Sequence, residues 1–258
     1  MLELEGKHAV VFGAASEQSI AWAIAKALHA HRCRISLGYQ QRFKSRVLQL
    51  VRGGEVPVPY YERCDVTSPA ELAHFFAGVT APIDVLVHSI AYANPSTFTK
   101  PFTEVTQEEF VESLCASAYS LVPLVRAAAP HMRNGGSVIA LTYLGGQRIV
   151  SNYKLMGVAK AALEATMRQL ASDVGPLGIR VNAISAGPVK TLAASQIAGF
   201  DSMLKTYESV APLRRSITAE DVGNLATFLS SDMARNITGQ TLFVDAGYNT
   251  LAMAQLET

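Results

Sequence analysis

The sequence predicts an α/β protein, a single-domain doubly wound (Rossmann) parallel sheet of about seven strands with helices on both faces. Three observations predict it. Short β-rich runs alternate with long helical patterns over most of the 258 residues, as a parallel sheet requires to return each strand to the same end. No repeat, low-complexity tract or Pro/Ser-rich linker interrupts them, so residues 1–258 are expected to form one domain. Apolar residues make up 49% and charged residues 17%, with no uninterrupted apolar run of about 20, so a large core and no membrane span are expected.

The first strand, His8–Phe12, runs into Gly13-Ala14-Ala15-Ser16-Glu17-Gln18-Ser19-Ile20-Ala21, a small-residue turn opening a helix at about Ser19, its candidate N-cap. A helix start after such a turn offers N–H groups and the positive end of its dipole to a pyrophosphate. Only Gly13 remains of a G-x-G-x-x-G fingerprint, so its place in the first βαβ unit carries more weight than the motif. The second strand, Arg34–Gly38, ends at Tyr39-Gln40-Gln41, before a helix from about Phe43. No acid stands there for an adenosine ribose, and neutral Gln40 leaves NADH and NADPH both open; Arg42 and Lys44 either turn toward a 2′-phosphate or face solvent.

The third strand, Val56–Tyr61, leads to Cys64-Asp65-Val66, where Asp65 either accepts from an adenine amino group or serves the turn before a helix from Ser68. The fourth, Val85–His88, opens into Ser89-Ile90-Ala91, where the backbone would pass close to a cofactor; His88 itself reads as structural. A helix from Gln107, the strand Ser137–Thr142, a helix from Tyr153, the strand Arg180–Ile184, a helix from Ala219 and the strand Leu242–Asp245 complete the pattern. Ligands of such sheets sit beyond the carboxyl ends of the strands, so these loops should carry the function.

Tyr153 and Lys160 are the most informative pair. They stand seven residues apart on what reads as one helix, so they differ in direction by only about 20° and both reach one cleft. A lysine near a tyrosine favours the phenolate and strengthens the phenol as a donor to a polarised carbonyl oxygen.

The remaining composition excludes other classes. Net charge is +1 with scattered Lys and Arg, which argues against nucleic acid or an anionic membrane and for a small ligand. Cys33, Cys64 and Cys115 show no C-x-x-C spacing and the six histidines no metal-binding pair, so no metal is assigned and a reducing cytoplasm is expected. The acidic N-terminal segment is not expected to be a secretion signal.

Through Leu141-Thr142-Tyr143-Leu144-Gly145, Asn152-Tyr153, Met156-Gly157, Ala159-Lys160, Arg180-Val181-Asn182-Ala183-Ile184-Ser185-Ala186-Gly187-Pro188 and Thr191-Leu192-Ala193-Ala194-Ser195, the chain resembles the short-chain dehydrogenase/reductase superfamily. Within it, the resemblance is to the NADH-type bacterial enoyl-acyl-carrier-protein reductases. Carbonyl-reducing members place their acid tyrosine four residues before the lysine, where this chain has Met156. Moving the phenol back to Tyr153 shifts it about 4.5 Å. Chemistry offers a reason, because charge in an enoyl thioester develops on an oxygen two atoms farther from the hydride-receiving carbon than the oxygen of a ketone.

The resemblance implies hydride transfer from NADH to the β-carbon of a trans-2-enoyl thioester in fatty-acid synthesis, with Tyr153 bonding the enolate oxygen and Lys160 the nicotinamide ribose. It implies that Tyr143 walls the acyl pocket as a second donor, or fills space beside the strand end. Gly13, Ser19, Ile20, Gln40, Asp65, Val66, Ser89, Ile90, Ala91, Lys160, Val189 and Thr191 are the expected cofactor contacts. Tyr92, Met156, Ala194, Ile197, Phe200 and Met203 are the expected acyl lining, within a substrate-binding loop of about 187–210.

The family further implies an acyl-carrier-protein substrate and a homotetramer built on the helices from Gln107 and Tyr153. Asp201-Ser202-Met203-Leu204, with only Lys205 following, departs from the basic patch that recognises a carrier, and Asp245-Ala246-Gly247 departs from the usual Gly-Gly. A carbonyl-reducing dehydrogenase and a non-catalytic NAD(H) sensor are the rival readings.

Overall fold

Seven strands, β1 (His8–Phe12), β2 (Arg34–Tyr39), β3 (Tyr60–Arg63), β4 (Val85–His88), β5 (Gly136–Thr142), β6 (Ile179–Ala186) and β7 (Thr241–Val244), form one sheet in the computed structural model. The structure describes residues 2–191, 194 and 199–252. The order is β3-β2-β1-β4-β5-β6-β7 and every neighbouring pair is parallel. Because the chain winds outward from β1 in one direction and from β4 in the other, a crevice opens where these two central strands part.

Helices cover both faces. On one lie α1 (Ile20–Ala30), α2 (Lys44–Gly53) and α9 (Ala219–Ser230), sealed through Trp22, Leu28, Val47 and Leu229 onto Val11, Leu37, Val87 and Ile139. On the other lie α3 (Pro69–Ala77), α6 (Leu121–Ala128) and α7 (Leu155–Val174), whose Phe75, Leu124 and Met167 meet Phe12, Leu86 and Val138. Alternate residues of each strand therefore serve opposite cores. The short α4 (Ser96–Thr99), α5 (Gln107–Leu114) and α8 (Phe200–Val210) lie in the connections. Helix starts are fixed locally: Ser68 caps α3, and capping boxes at Thr106/Glu109 and Thr218/Asp221 start α5 and α9.

Three expectations need correction. The third strand begins at Tyr60 rather than Val56, because Pro57 and Pro59 cannot donate to a ladder; Val56 and Val58 still bury in the core. The helix expected from Tyr153 begins at Leu155, and Tyr153 sits in the turn before it, where Asn152 (φ 64°) and Lys154 (φ 40°) take left-handed backbone. Within the expected substrate-binding loop, residues from Phe200 onward are helical, started by Gly199 at φ 77°.

Candidate active site

A cleft of about 930 Å³ runs across the carboxyl ends of the sheet, beginning at the β1/β4 crevice. Its β1 end is lined by Gly13, Ser19 and Ile20, facing Ser89, Ile90 and Ala91 after β4. Gln40, Asp65 and Val66 line the end toward β3, and Val189 and Thr191 the β6 side. Tyr92, Met156, Ala194, Phe200 and Met203 lie in the same wall as Tyr143, Tyr153 and Lys160. Ile197 lies outside the described residues.

At Gly13 the backbone has φ 104°, and a Cβ there would stand 2.0 Å from the Ser89 carbonyl oxygen. Only glycine lets β1 and β4 end so close together. Ser19 takes the N-cap backbone position of α1, yet its side chain does not cap; its hydroxyl donates to the Ser16 carbonyl at 2.6 Å. The first-turn N–H groups thus have no side-chain cap, the Trp22 N–H alone turning to the Ser19 carbonyl at 3.0 Å, and the buried Ser16 hydroxyl has no partner among the described residues. A pyrophosphate would satisfy both, so these residues fit a dinucleotide.

At the far end, Gln40 donates to Asp65 at 2.8 Å, and Thr67 donates to the same carboxylate through its N–H (3.0 Å) and hydroxyl (2.7 Å). Burial alone would raise the Asp65 pKa, but these bonds and the Arg42 charge hold it below the ordinary value. Asp65 thus serves the turn, and since a carboxylate offers about four acceptor sites its Oδ2 keeps room for an adenine amino group as well. Arg42 does not simply face solvent. It lines the cleft, its guanidinium 4.8 Å from the Phe43 ring centre and 5.3 Å from that of Tyr92, joining the two lips. Lys44 starts α2 outside the lining.

At the reacting end, Tyr143 and Tyr153 meet edge to face, ring centres 4.9 Å apart at 73°. Gly145 makes room for this: a Cβ there would lie 2.4 Å from the Tyr153 ring. Burial pushes the Tyr143 phenol up to about 12, and burial followed by the neighbouring Tyr143 raises Tyr153 as well. Desolvation thus outweighs the expected pull of Lys160 toward a phenolate, and both phenols stay protonated donors at neutral pH. Burial brings Lys160 down to about 8 while Glu164 pulls it up, and the Lys160 amine donates to the Leu141 carbonyl at 2.7 Å.

His88, fully buried, bonds Ser120 at 2.8 Å and is lowered to about 3 by burial and then by Lys160, so it is a neutral structural group as expected. After α5 the helix widens into a π turn, Cys115–Tyr119, whose Cys115 and Ala116 shoulder into the cleft beside Glu112. No residue type marks a π turn, and this part of the wall escaped the sequence reading.

With that geometry in view, comparison with known proteins is specific. A family model described as Enoyl-(Acyl carrier protein) reductase matches residues 13–249. The chain belongs to the enoyl-acyl-carrier-protein reductase family. It is 45% identical to the enoyl-acyl-carrier-protein reductase (NADH) FabI of Synechocystis sp., over 98% of this chain and 100% of the relative. The Bacillus subtilis enzyme of the same name is 43% identical over 96% and 98%.

Among solved structures, the Bacillus cereus enoyl-acyl carrier protein reductase with NADP+ and indole naphthyridinone superposes with TM-score 0.95 at 42% identity, covering 98% of this chain and 100% of that one. The Anaplasma phagocytophilum reductase in complex with NAD superposes at 0.92 and 39% identity, over 99% and 98%. The cleft of this enoyl reductase also lies beside the β6 loop, where Lys190 and Asp201 pair at 2.9 Å across its two ends.

Proposed function

We propose that this enoyl reductase saturates the trans-2 double bond of an enoyl thioester in fatty-acid synthesis, with NADH as reductant. The observation that carries the reading is one wall in which Tyr153 stands against Tyr143 and shares the cleft with Lys160, while Met156 occupies the position four before the lysine. When bound, the reduced nicotinamide would supply a hydride to the β-carbon, and a proton taken up at the α-carbon of the resulting enolate completes the saturation.

Tyr153, kept protonated by burial, donates to the thioester oxygen as negative charge gathers there, and Tyr143 is the second donor. Gly13, Ser16 and the start of α1 hold the pyrophosphate, Gln40 and Val66 flank the adenosine, and Lys160 holds the nicotinamide ribose. Ser89, Ile90, Ala91, Val189 and Thr191 line the rest of the dinucleotide path, with Asp65 bracing Gln40. Met156, Tyr92, Ala194, Phe200 and Met203 give the acyl chain an apolar wall that excludes water from the developing charge.

Residues 1–258 are read as one domain, in the cytoplasm. Exposed Phe110 and Val111 on α5 and Tyr119 at the end of the π turn support a homotetramer assembled through these helices. The names of the relatives support acyl carrier protein as the substrate's bearer.

The testing assay follows cofactor oxidation with NADH and NADPH, offering trans-2-enoyl and 3-oxoacyl thioesters on CoA and on carrier protein. Enoyl reduction is expected. Reduction of the 3-oxo substrate alone would make this a carbonyl reductase, and dinucleotide binding without turnover would make it a sensor.

A further inference from the structure

We infer that Glu164, on α7 one turn beyond Lys160, is a positioning residue of the reaction, tethering the turn that carries Tyr143 and setting a buried carboxylate one helical turn from the Lys160 ammonium. The inference rests on the proposed role of Lys160 at the dinucleotide. Glu164 is only 4% exposed, and a carboxylate so deep must be compensated. One oxygen accepts from the Thr142 hydroxyl at 2.8 Å and the other from the Gln147 side-chain amide at 2.9 Å. Thr142 ends β5 just before Tyr143, and Gln147 closes the short helical turn Leu144–Gly146 just after it. A single side chain thus grips both ends of the segment that presents a phenol to the cleft.

The segment also lies flat on α7. A Cβ on Gly146 would come within 3.0 Å of the backbone at Lys160 and Ala161, and one on Gly157 within 2.6 Å of the Gly145 carbonyl oxygen. Lys160 binds the Leu141 carbonyl and Glu164 the neighbouring Thr142, so adjacent residues of β5 are held by adjacent turns of one helix.

The other ionisable groups around the pair do not replace this charge. His88 from β4 is neutral, Tyr143 and Tyr153 are protonated, and Glu112 and Cys115 stand at the rim on α5 and the π turn. Strand β5 has no ionisable side chain, that of β6 is Arg180 at the opposite end on the Leu229 and Ser231 carbonyls, and Arg126 of α6 is exposed. Burial drags Lys160 down and Glu164 holds it up.

The experiment measures NADH affinity by fluorescence titration across pH 6 to 10, alongside thermal melting, for Glu164→Gln and Glu164→Asp. Affinity of the wild type should fall as pH rises through about 8, where Lys160 loses its proton. Glu164→Gln should move that fall about one pH unit lower, and Glu164→Asp should largely restore it. A lowered melting temperature with an unmoved pH profile would reduce Glu164 to a structural role and overturn the inference.

If Glu164→Gln does not fold, Thr142→Val removes one tether while keeping the charge. Turnover should then drop several-fold with NADH affinity intact, and unchanged turnover would also overturn the inference. Lys160→Met is the control: unchanged affinity there would refute the ribose assignment itself, independently of Glu164.

Discussion

The two ends of the cleft are built by different means. At the β1/β4 end the work falls to backbone: Gly13 lets two strand ends touch, and the α1 start presents its N–H groups without a side-chain cap. At the β5/α7 end the work falls to side chains held in costly positions, with Asn152 and Lys154 at positive φ and Tyr143, Tyr153, Lys160 and Glu164 packed around one turn. A site that binds a common dinucleotide can be made of peptide groups and tolerates side-chain change. A site that stabilises one developing charge needs particular atoms in particular places, and the fold accepts strain to hold them.

Substitutions can break this contrast. Gly13→Ala should do the most damage, because the new methyl meets a backbone carbonyl at a φ unfavourable to alanine; a loss of about 3 kcal/mol or more in urea unfolding is expected, together with lost dinucleotide binding. Tyr153→Phe should lower turnover about 10²-fold and leave dinucleotide affinity nearly intact, since the phenol meets substrate. Parallel loss of rate and affinity would contradict that division of labour.

Lys160→Met should weaken NADH about tenfold at pH 7. The lysine carries its charge below about 8, so the wild-type advantage should be present under that pH and disappear above it, while the variant's affinity stays flat. Lys154→Gly gives the smallest effect. It relieves φ 40° but releases two bonds, to the Thr99 carbonyl at 3.0 Å and the Lys100 carbonyl at 2.6 Å. Stability should change by less than about 1 kcal/mol and turnover fall about threefold, because the turn holding Tyr153 loosens.

The same contrast governs what could be read from sequence. Strands and the loops after them were legible because apolar runs and βα alternation report directly on burial, and the residues proposed for the dinucleotide all line one cleft. The third strand was misplaced because the valines around Pro57 and Pro59 are buried like strand residues while the prolines bar them from the ladder. Tyr153 and Lys160 are legible by spacing, yet the helix between them begins two residues later than the pattern predicts: Asn152 at positive φ is a residue type that favours such backbone and so a signal, whereas positive φ at Lys154 leaves no trace in propensity. Glu164 went unnoticed because a glutamate in a helix reads as surface until its partners, Thr142 and Gln147, are seen to come from another element.

The π turn at Cys115–Tyr119 fixes how this molecule can change. It holds one residue more than an ordinary helical turn, so deleting one of the five would wind the stretch back to regular α-helix while α6 downstream kept its register. Leu121, Leu124, Val125 and Ala128 would stay against the sheet and Ser120 beside His88, and the loss would fall on the shoulder that Cys115 and Ala116 push into the cleft. One added residue thus reshapes the pocket wall without disturbing the core behind it.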